Sequence, residues 1–477
     1  MFTRYLFVGS ICASTMFAQV SAVQNPVPGS TSSVNTLSPS VQVQGAYAGS
    51  VADAQPVPGV LKLSMRDAIR RGLRTNLSGA QLSAVLHEAT AQASISRSAL
   101  LPNVSANLRE VLTKTNLRAF GVRFPGAPTV VGPFNYFDLR ATLSQTLFDP
   151  ASLAAWRASR QNIVASEHRL ADAKDVVVLA ASGAYLQAVA AQARIQAAGA
   201  QVATAQTLYD QSAQQQKEGV LAVIDVNRSR VQLQTQQQSL ITLQNDFARQ
   251  KLNLARIIGL APGQEFELAD AMPAEAPVSM AMRDILSLSY RQRSDLQAAE
   301  TAVRAAELRR TSARAQRIPS LALNADYGAI GTNPAQAAGT YTVTGNLRIP
   351  IWAGGRVGAE IVQAEAQLEQ RRAELADMRG RIDAEVRSAL LDLESATSQV
   401  QVARENLAVA RQSMDLTRQR FDAGIADTAE VSRALETVAA ADQDVITSQF
   451  AHNLAKAVLA RAMGRTEENL AKLLPLP

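Results

Sequence analysis

The segment Lys217-Glu-Gly-Val-Leu-Ala-Val-Ile-Asp-Val226 occurs again, in altered form, as Asp422-Ala-Gly-Ile-Ala-Asp-Thr-Ala-Glu-Val431. In each segment a glycine is followed six residues later by an acid, and a shift of 205 in residue number relates the two segments. The same shift relates Leu254-Ala-Arg-Ile-Ile-Gly259 to Leu459-Ala-Arg-Ala-Met-Gly464. A glycine that interrupts a helical pattern is typical of a helix end. The chain therefore carries two copies of a helical hairpin. The turn of each hairpin, called its tip, is at Gly219 in the first copy and at Gly424 in the second.

The first part of each copy aligns as well, at a shift of 217 in residue number. Met65-Arg-Asp67 recurs as Met282-Arg-Asp284, and Pro102 corresponds to Pro319. A proline ends a helix because it lacks the backbone N–H and clashes with the preceding turn. We therefore predict one helix before each proline, at residues 64–100 and 279–317. The duplication indicates two halves of one elongated body rather than unrelated domains.

After each proline, apolar and polar residues alternate, as in a strand with one apolar face. Val104, Ala106 and Leu108 alternate with Ser105 and Asn107 in the first copy. Four such strands are predicted, at about 103–117, 135–148, 319–331 and 340–352. Alternation alone also fits a soluble sheet packed on helices. The run lengths, near the roughly 9–11 residues that cross an outer membrane, favour membrane strands.

The pattern then changes to a long helix, over about residues 356–421. Its apolar or small residues fall at alternating steps of four and three, which is the seam of a coiled coil. The seam comprises Ile382, Val386, Ala389, Leu393, Ala396, Val400, Ala403, Leu407, Ala410 and Met414, and the first copy preserves it from Val177 to Tyr209. At 1.5 Å per residue such a helix is on the order of 100 Å long.

The N-terminus has the features of a secretory signal. Arg4 precedes an apolar run, and Val20-Ser-Ala22 forms a small-residue cleavage site. The single cysteine, Cys12, lies inside this signal, so we expect no disulfide and no lipid anchor. The predicted organisation is a signal peptide (1–22), a flexible Pro/Ser/Gln-rich leader (23–60), the first repeat (61–260), a linker (261–280), the second repeat (281–465) and a C-terminal tail (466–477).

Composition narrows the classes of partner. The chain has 477 residues and a net charge of +6, but its Lys and Arg are interleaved with Asp and Glu along the helices. Such a surface is typical of solvated helices and does not predict nucleic-acid binding. After the signal, the sequence contains no run of about 20 uninterrupted apolar residues, so we predict no membrane-spanning helix there. If the chain spans a membrane it does so with strands, and four strands need partner copies to close a wall, most simply in a trimer.

The chain shows no constellation for catalysis. His87, His168 and His452 are scattered, and none recurs in the other copy, so we predict no metal site. The sequence contains no Gly-Lys dipeptide for a phosphate loop and no Gly-x-Ser-x-Gly elbow. We expect neither an enzyme nor a cofactor, and a hydrolase attached to a barrel has no support.

The residues after each tip glycine are the candidate functional site. Asp225 and Glu430 are each followed three residues later by an arginine, Arg228 or Arg433, which could pair with the acid within the helix. The functional alternative is that the tips converge in a ring of subunits, where the acids line or lock an aperture. Asp427 is a further candidate in the second copy.

Together these features resemble the outer-membrane efflux proteins of the TolC type, over about residues 61–464. The resemblance rests on both tip segments, on the helix-ending Leu-Ala-Arg-x-x-Gly motifs, and on Pro350-Ile-Trp-Ala-Gly-Gly355 after the last strand. Their order, duplication and spacing carry it, rather than any single motif. It implies a mainly α chain with a β-barrel part: four transmembrane strands per chain, completed in a homotrimer as a 12-stranded barrel in outer-membrane lipid, and a periplasmic α-helical tunnel.

The resemblance also implies partners and site roles. The family provides the exit duct for an inner-membrane efflux transporter, joined through a periplasmic adaptor (membrane fusion) protein. The adaptor-facing tips would include Gly219, Val220, Leu221, Gly424 and Ile425. Glu430 stands where the family places an aperture acid. The sequence departs from the family pattern at Arg433, where a second acid is expected.

The sequence leaves three functions open. The first is passive export of small molecules such as drugs, driven by the partners. The second is the exit duct of type I protein secretion. The third is a periplasmic coiled-coil scaffold or adaptor without a pore, which four amphipathic strands disfavour.

Overall fold

The computed structural model describes residues 34–38, 40–52, 56, 58–121, 126, 128–273 and 280–474. The predicted signal peptide lies outside these residues. In chain order the elements are β1 Val34–Ser38, β2 Ser40–Val43, β3 Leu61–Leu63, α1 Met65–Thr75, α2 Leu77–Ser98, β4 Asn103–Asn116, β5 Val130–Phe148, α3 Pro150–Lys217, α4 Val223–Ile257, β6 Phe266–Leu268, α5 Met282–Gln292, α6 Ser294–Ala315, β7 Ser320–Gly331, β8 Ala338–Arg348, α7 Arg356–Asp422, α8 Thr428–Met463 and α9 Thr466–Leu473. The predicted fold class, long helical hairpins with a four-stranded sheet, is confirmed.

The prediction of one helix before each proline was wrong. Each is two helices, of 11 and 22 residues in both copies, because one residue leaves the helical conformation: Asn76 has ψ 136° and Arg293 has ψ 120°. The Asn76 side chain accepts a hydrogen bond from Ser78 N and so caps α2. The polar side chain at the break satisfies groups that the interrupted helix leaves free.

Four strands form one antiparallel sheet in the order β4-β5-β7-β8. In register, Leu108 lies opposite Leu139, and Tyr327 lies opposite Tyr341. These side chains share the apolar face, which is exposed in the single chain. Within the described part of the chain, β4 and β8 each pair on one side only, so both edges of the sheet are open.

Two strand boundaries differ from the prediction. β5 begins at Val130 rather than at about 135, because its hairpin with β4 extends past the end of β7. β8 ends at Arg348 rather than at about 352. Pro350 follows two residues later, and a proline cannot donate to a strand ladder.

The helices form two long hairpins, α3 with α4 and α7 with α8, and the predicted seam is their packed interior. Ile382, Val386 and Ala389 are buried on α7, as are Val177 and Ala181 on α3. α3 contains a window that is apolar and long enough to cross a membrane, but 78% of that window is buried inside the protein. It is therefore a core helix of the bundle.

The connecting segments pack against the long helices. β3 and β6 pair in parallel, so the predicted linker contributes a strand. The predicted tail contains α9, whose Leu470 is buried. Part of the predicted flexible leader is also held: Val51 N donates to Thr75 O (2.8 Å), and Asn76 Nδ2 donates to Tyr47 O (2.8 Å). These contacts tie the leader to the break between α1 and α2.

Candidate aperture at the helical tips

The two tips have the same backbone geometry. α3 is followed by Gly219 (φ +77°), and α7 is followed, after Ala423, by Gly424 (φ +70°). The next residue turns back in each case: Val220 N donates to Gln215 O (2.9 Å), and Ile425 N donates to Arg420 O (2.8 Å). This is the glycine-dependent ending that satisfies the last carbonyls of a helix. The sequence-predicted turn at each glycine is confirmed.

The first tip holds its charge pair within one helix, as predicted. Arg228 Nη1 lies 3.2 Å from Asp225 Oδ1, one turn apart on α4. The carboxylate is the more enclosed partner, with 20% of its side chain exposed against 53% for the guanidinium. A pair within a single turn stabilises that turn but does not connect the two helices of the hairpin.

In the second tip the predicted pair between Glu430 and Arg433 was wrong. Glu430 Oε1 instead accepts from Arg420 Nη1 at 2.7 Å, and Arg433 Nε donates to Ala429 O at 3.2 Å. Arg420 is on α7 and Glu430 on α8, so this ion pair spans the turn. The contact depends on how the turn folds, which residue spacing along one helix does not reveal.

Asp427 has a structural role that the sequence analysis missed. Its Oδ1 accepts from Glu430 N at 2.7 Å, which makes it the N-cap of α8. Glu430, three residues after the cap, lies in the first turn, where the helix dipole favours an acid. The Asp-x-x-Glu spacing is the sequence signal for such a cap. Asp427 therefore orders the segment that positions Glu430.

The tips expose apolar side chains. Val220 is 75% exposed and Ile425 is 70% exposed, whereas Leu221 is half-buried. Val223 and Ile224, at the start of α4, are also exposed and were not singled out from the sequence. A shallow groove of about 570 Å³ lies beside the second tip, lined by Ser413, Leu416, Thr417, Gln419, Arg420, Ala423 and Ile425. These exposed apolar groups lie together at the end of the long hairpins.

The two hairpins contact each other just above the tips. Leu208 of α3 packs against Phe421 and Val431 of the second hairpin. A second cluster joins Ala205, Leu233 and Leu435. The tips therefore lie side by side, while Asp225 and Glu430 each pair within their own hairpin.

The opposite end of the molecule carries a polar sheet face. Arg140 on β5 pairs with Asp326 on β7 and also contacts Asp138 (3.3 Å) and Thr340 (3.1 Å). Ser105 Oγ and Thr142 Oγ1 lie 2.7 Å apart on the same face. The alternation of the strands predicted this face, but not its ion pairs, because cross-strand partners depend on register.

Comparison with known proteins gives a consistent result. The family described as "Outer membrane efflux protein" matches residues 71–260 and 285–465. A curated relative, the pyoverdine export outer membrane protein OpmQ of Pseudomonas putida, is 27% identical over 188 residues. That match covers 39% of this chain and only 40% of the relative's length.

Solved structures share the fold. The outer membrane channel CmeC of Campylobacter jejuni superposes with a TM-score of 0.74 at 16% identity, over 89% of this chain and 98% of that one. The outer membrane protein VceC of Vibrio cholerae superposes with a TM-score of 0.72 at 18% identity, over 84% of this chain and 96% of that one. With the family match over both repeats, the chain belongs to the outer membrane efflux protein family and lies in the outer membrane, with its helical part in the periplasm.

Proposed function

We propose that the protein is a passive exit duct, formed by three copies of the chain, through which small molecules leave the periplasm. Three copies contribute twelve strands to a closed barrel, and their hairpins form a tunnel below it. The duct itself performs no chemical step, and the energy for transport comes from the partners.

The open edges of the sheet carry this proposal. In the part of the chain that the structure describes, strands β4 and β8 each have one edge whose backbone groups no other strand pairs. Such groups are strongly unfavourable in hydrocarbon, which offers them no hydrogen-bond partner. Pairing β8 of one copy with β4 of the next satisfies them. The apolar face then meets lipid, and the polar face, with Arg140 and Asp326, lines water. A periplasmic scaffold without a pore would not need a sheet with one exposed apolar face and one polar face.

The tips support the proposed partners. Val220, Ile425 and the groove beside Arg420 form an exposed apolar surface at the end of the chain farthest from the sheet. We infer that a periplasmic adaptor protein docks there and connects the duct to an inner-membrane transporter. In this reading, Glu430 and Arg420 at the second tip, with Asp225 and Arg228 at the first, border the aperture.

The proposed cargo is a small molecule rather than a polypeptide. The OpmQ relative is named for export of pyoverdine, which favours small-molecule efflux over type I protein secretion. The match covers less than half of that protein, so it supports a class of cargo and not a particular compound.

Two adjacent residues on β8 provide the test. Val343 lies on the apolar face and Thr344 on the polar face. Val343→Lys places a charge in lipid, at a cost of about 2–4 kcal/mol near the bilayer midplane, and we expect a much lower amount of protein in the outer membrane. Thr344→Lys should leave that amount unchanged and make the channel less cation-selective in a planar bilayer.

The scaffold alternative predicts a different outcome. If the sheet is not in lipid, the two substitutions should have equal and small effects on localisation, and the purified protein should give no stepwise conductance. For a secretion duct, conductance would appear, but deletion would abolish export of a polypeptide and leave small-molecule tolerance unchanged.

A further inference from the structure

Helix α1 and the strand before it, β3, carry a row of cations on their exposed side. We define the α1 stripe as Lys62, Arg66, Arg70, Arg71 and Arg74; Lys62, Arg66, Arg70 and Arg74 are exposed and Arg71 is half-buried. Four of the five line a groove of about 330 Å³ together with Leu61, Leu63 and Asp67. Met65, Ala68, Ile69 and Gly72 are buried on the other face of the helix. The α1 stripe therefore points away from the core.

The α1 stripe is electrostatically unfavourable for its own helix. Arg66, Arg70 and Arg74 follow one another at intervals of four, and like charges at this spacing destabilise a helix. Among the described residues that line the groove, the carboxylate is Asp67, which lies 3.4 Å from Arg70.

The second copy keeps arginines at the positions of Arg66 and Arg74, as Arg283 and Arg291, and shows that the fold does not need Arg70 or Arg71. Helix α5 has the same length as α1, and the shift of 217 places Ser287 at the position of Arg70 and Leu288 at the position of Arg71. Each helix is followed by the same break and by a second helix of equal length in the two copies. The extra cations are therefore specific to the first copy.

The position of the α1 stripe excludes lipid headgroups as its ligand. Helix α2, which has 22 residues, lies between the α1 stripe and the sheet. At the rise of an α-helix it spans roughly 30 Å. The α1 stripe thus faces the periplasm well below the membrane. A helical body on the order of 100 Å long must also pass through the cell-wall layer of that compartment.

We propose that the α1 stripe binds the carboxylate-bearing peptide stems of the cell-wall polymer. Guanidinium groups bind carboxylates through two parallel hydrogen bonds, which makes arginine the matching cation. The three in-line arginines are about 6 Å apart along the helix. A polymer with many carboxylates can engage several of them at once, so weak individual contacts add up. This binding is separate from transport and anchors the duct laterally.

Sedimentation with purified, protein-free cell-wall sacculi tests the proposal. The detergent-extracted full chain is mixed with sacculi at about 50 mM salt, and the pelleted fraction is measured. We expect the unchanged protein to pellet and to be released at about 1 M salt, because exposed ion pairs are screened. Arg70→Glu with Arg74→Glu should lower the pelleted fraction at least fivefold, and the milder Arg70→Gln with Arg74→Gln should lower it less.

The second copy supplies the matched control. Arg283→Glu with Arg291→Glu makes the same charge change on α5 and should lower the pelleted fraction less than twofold. Equal losses in both pairs would contradict the proposal, as would an unchanged protein that stays in the supernatant. Native mass spectrometry tests whether the α1 stripe instead contacts a second copy of the chain. If Arg70→Glu with Arg74→Glu dissociates the assembly, the α1 stripe makes that contact and the proposal is overturned. Unchanged single-channel conductance of the variants shows that folding and transport are intact.

Discussion

Gly424, at the turn of the second hairpin, has φ +70°. An L side chain adopts this left-handed conformation at a cost of roughly 1–2 kcal/mol. Gly380, inside α7, is the matched control, because a Cβ added at either position meets no atom within 4 Å. Gly424→Ala should therefore lower the free energy of unfolding by about 1 kcal/mol, and Gly380→Ala should raise it by about 0.5–1 kcal/mol. Urea unfolding of the two variants measures the difference, and equal shifts would contradict the proposed turn.

The ion pair between Arg420 and Glu430 links the two helices of the second hairpin, whereas Asp225 and Arg228 pair within one helix. If the linking pair holds the tip closed, Glu430→Gln should raise single-channel conductance. Asp225→Asn should change it much less. Unchanged conductance in Glu430→Gln would remove this pair from the gate.

Asp427 requires a different set of substitutions from Glu430. It is the N-cap of α8. Replacing it by alanine removes the cap, at a cost of about 1 kcal/mol, together with the charge. Asp427→Asn keeps the cap and removes only the charge. It is therefore the variant that separates an electrostatic role at the aperture from a structural one.

His452 on α8 gives the protein a pH dependence. It is 3% exposed, and burial, together with the cations Lys456 and Arg404, lowers the pKa of its imidazole from 6.5 to about 4. Between these two values the unfolded chain binds a proton that the folded chain does not. Stability is therefore present above pH 6.5 and falls as the pH drops towards 4, by up to about 1.4 kcal/mol per pH unit. In His452→Gln the unfolding midpoint should vary less with pH over this window; an identical slope would contradict the assignment.

At the scale of elements, the break before α6 depends on a buried charge. Arg293 has 3% of its side chain exposed; it donates to Asp295 at 2.6 Å and pairs with Glu385 on α7. Arg293→Met leaves Asp295 without its partner, and removing one member of a buried pair costs about 3–5 kcal/mol. Arg314, paired with Glu365 on the surface, is the control. Arg314→Met should cost at most about 1 kcal/mol. Thermal unfolding that ranks the two variants equally would contradict a structural role for the Arg293 network.

The sequence predicted these elements to different degrees. The seam residues, such as Ile382 and Val386, repeat over many turns, so their burial followed from periodicity. The breaks at Asn76 and Arg293 could not be predicted from periodicity. Neither residue is a proline or a glycine, and each break depends on contacts far along the chain. The pair between Arg420 and Glu430 was missed for the same reason: it forms only when the turn at Gly424 brings two helices together. Local patterns therefore located the tips, and tertiary contacts decided their charge pairing.

At the scale of the whole molecule, one chain is an incomplete structure. Among the described residues, its sheet has two open edges, and its apolar face carries Leu108, Tyr341 and Val343 on the surface. Its helices extend far below the sheet and end in exposed apolar tips. In the proposed duct, association with two further copies would cover the edges and continue the wall, which is why the proposal depends on a trimer.

The most direct test is the mass of the complex extracted in mild detergent from isolated outer membranes, measured by native mass spectrometry after the detergent is removed. A shared barrel predicts a species of three identical chains in that fraction. A monomer or dimer that is recovered as a soluble periplasmic protein would contradict the shared barrel and the duct.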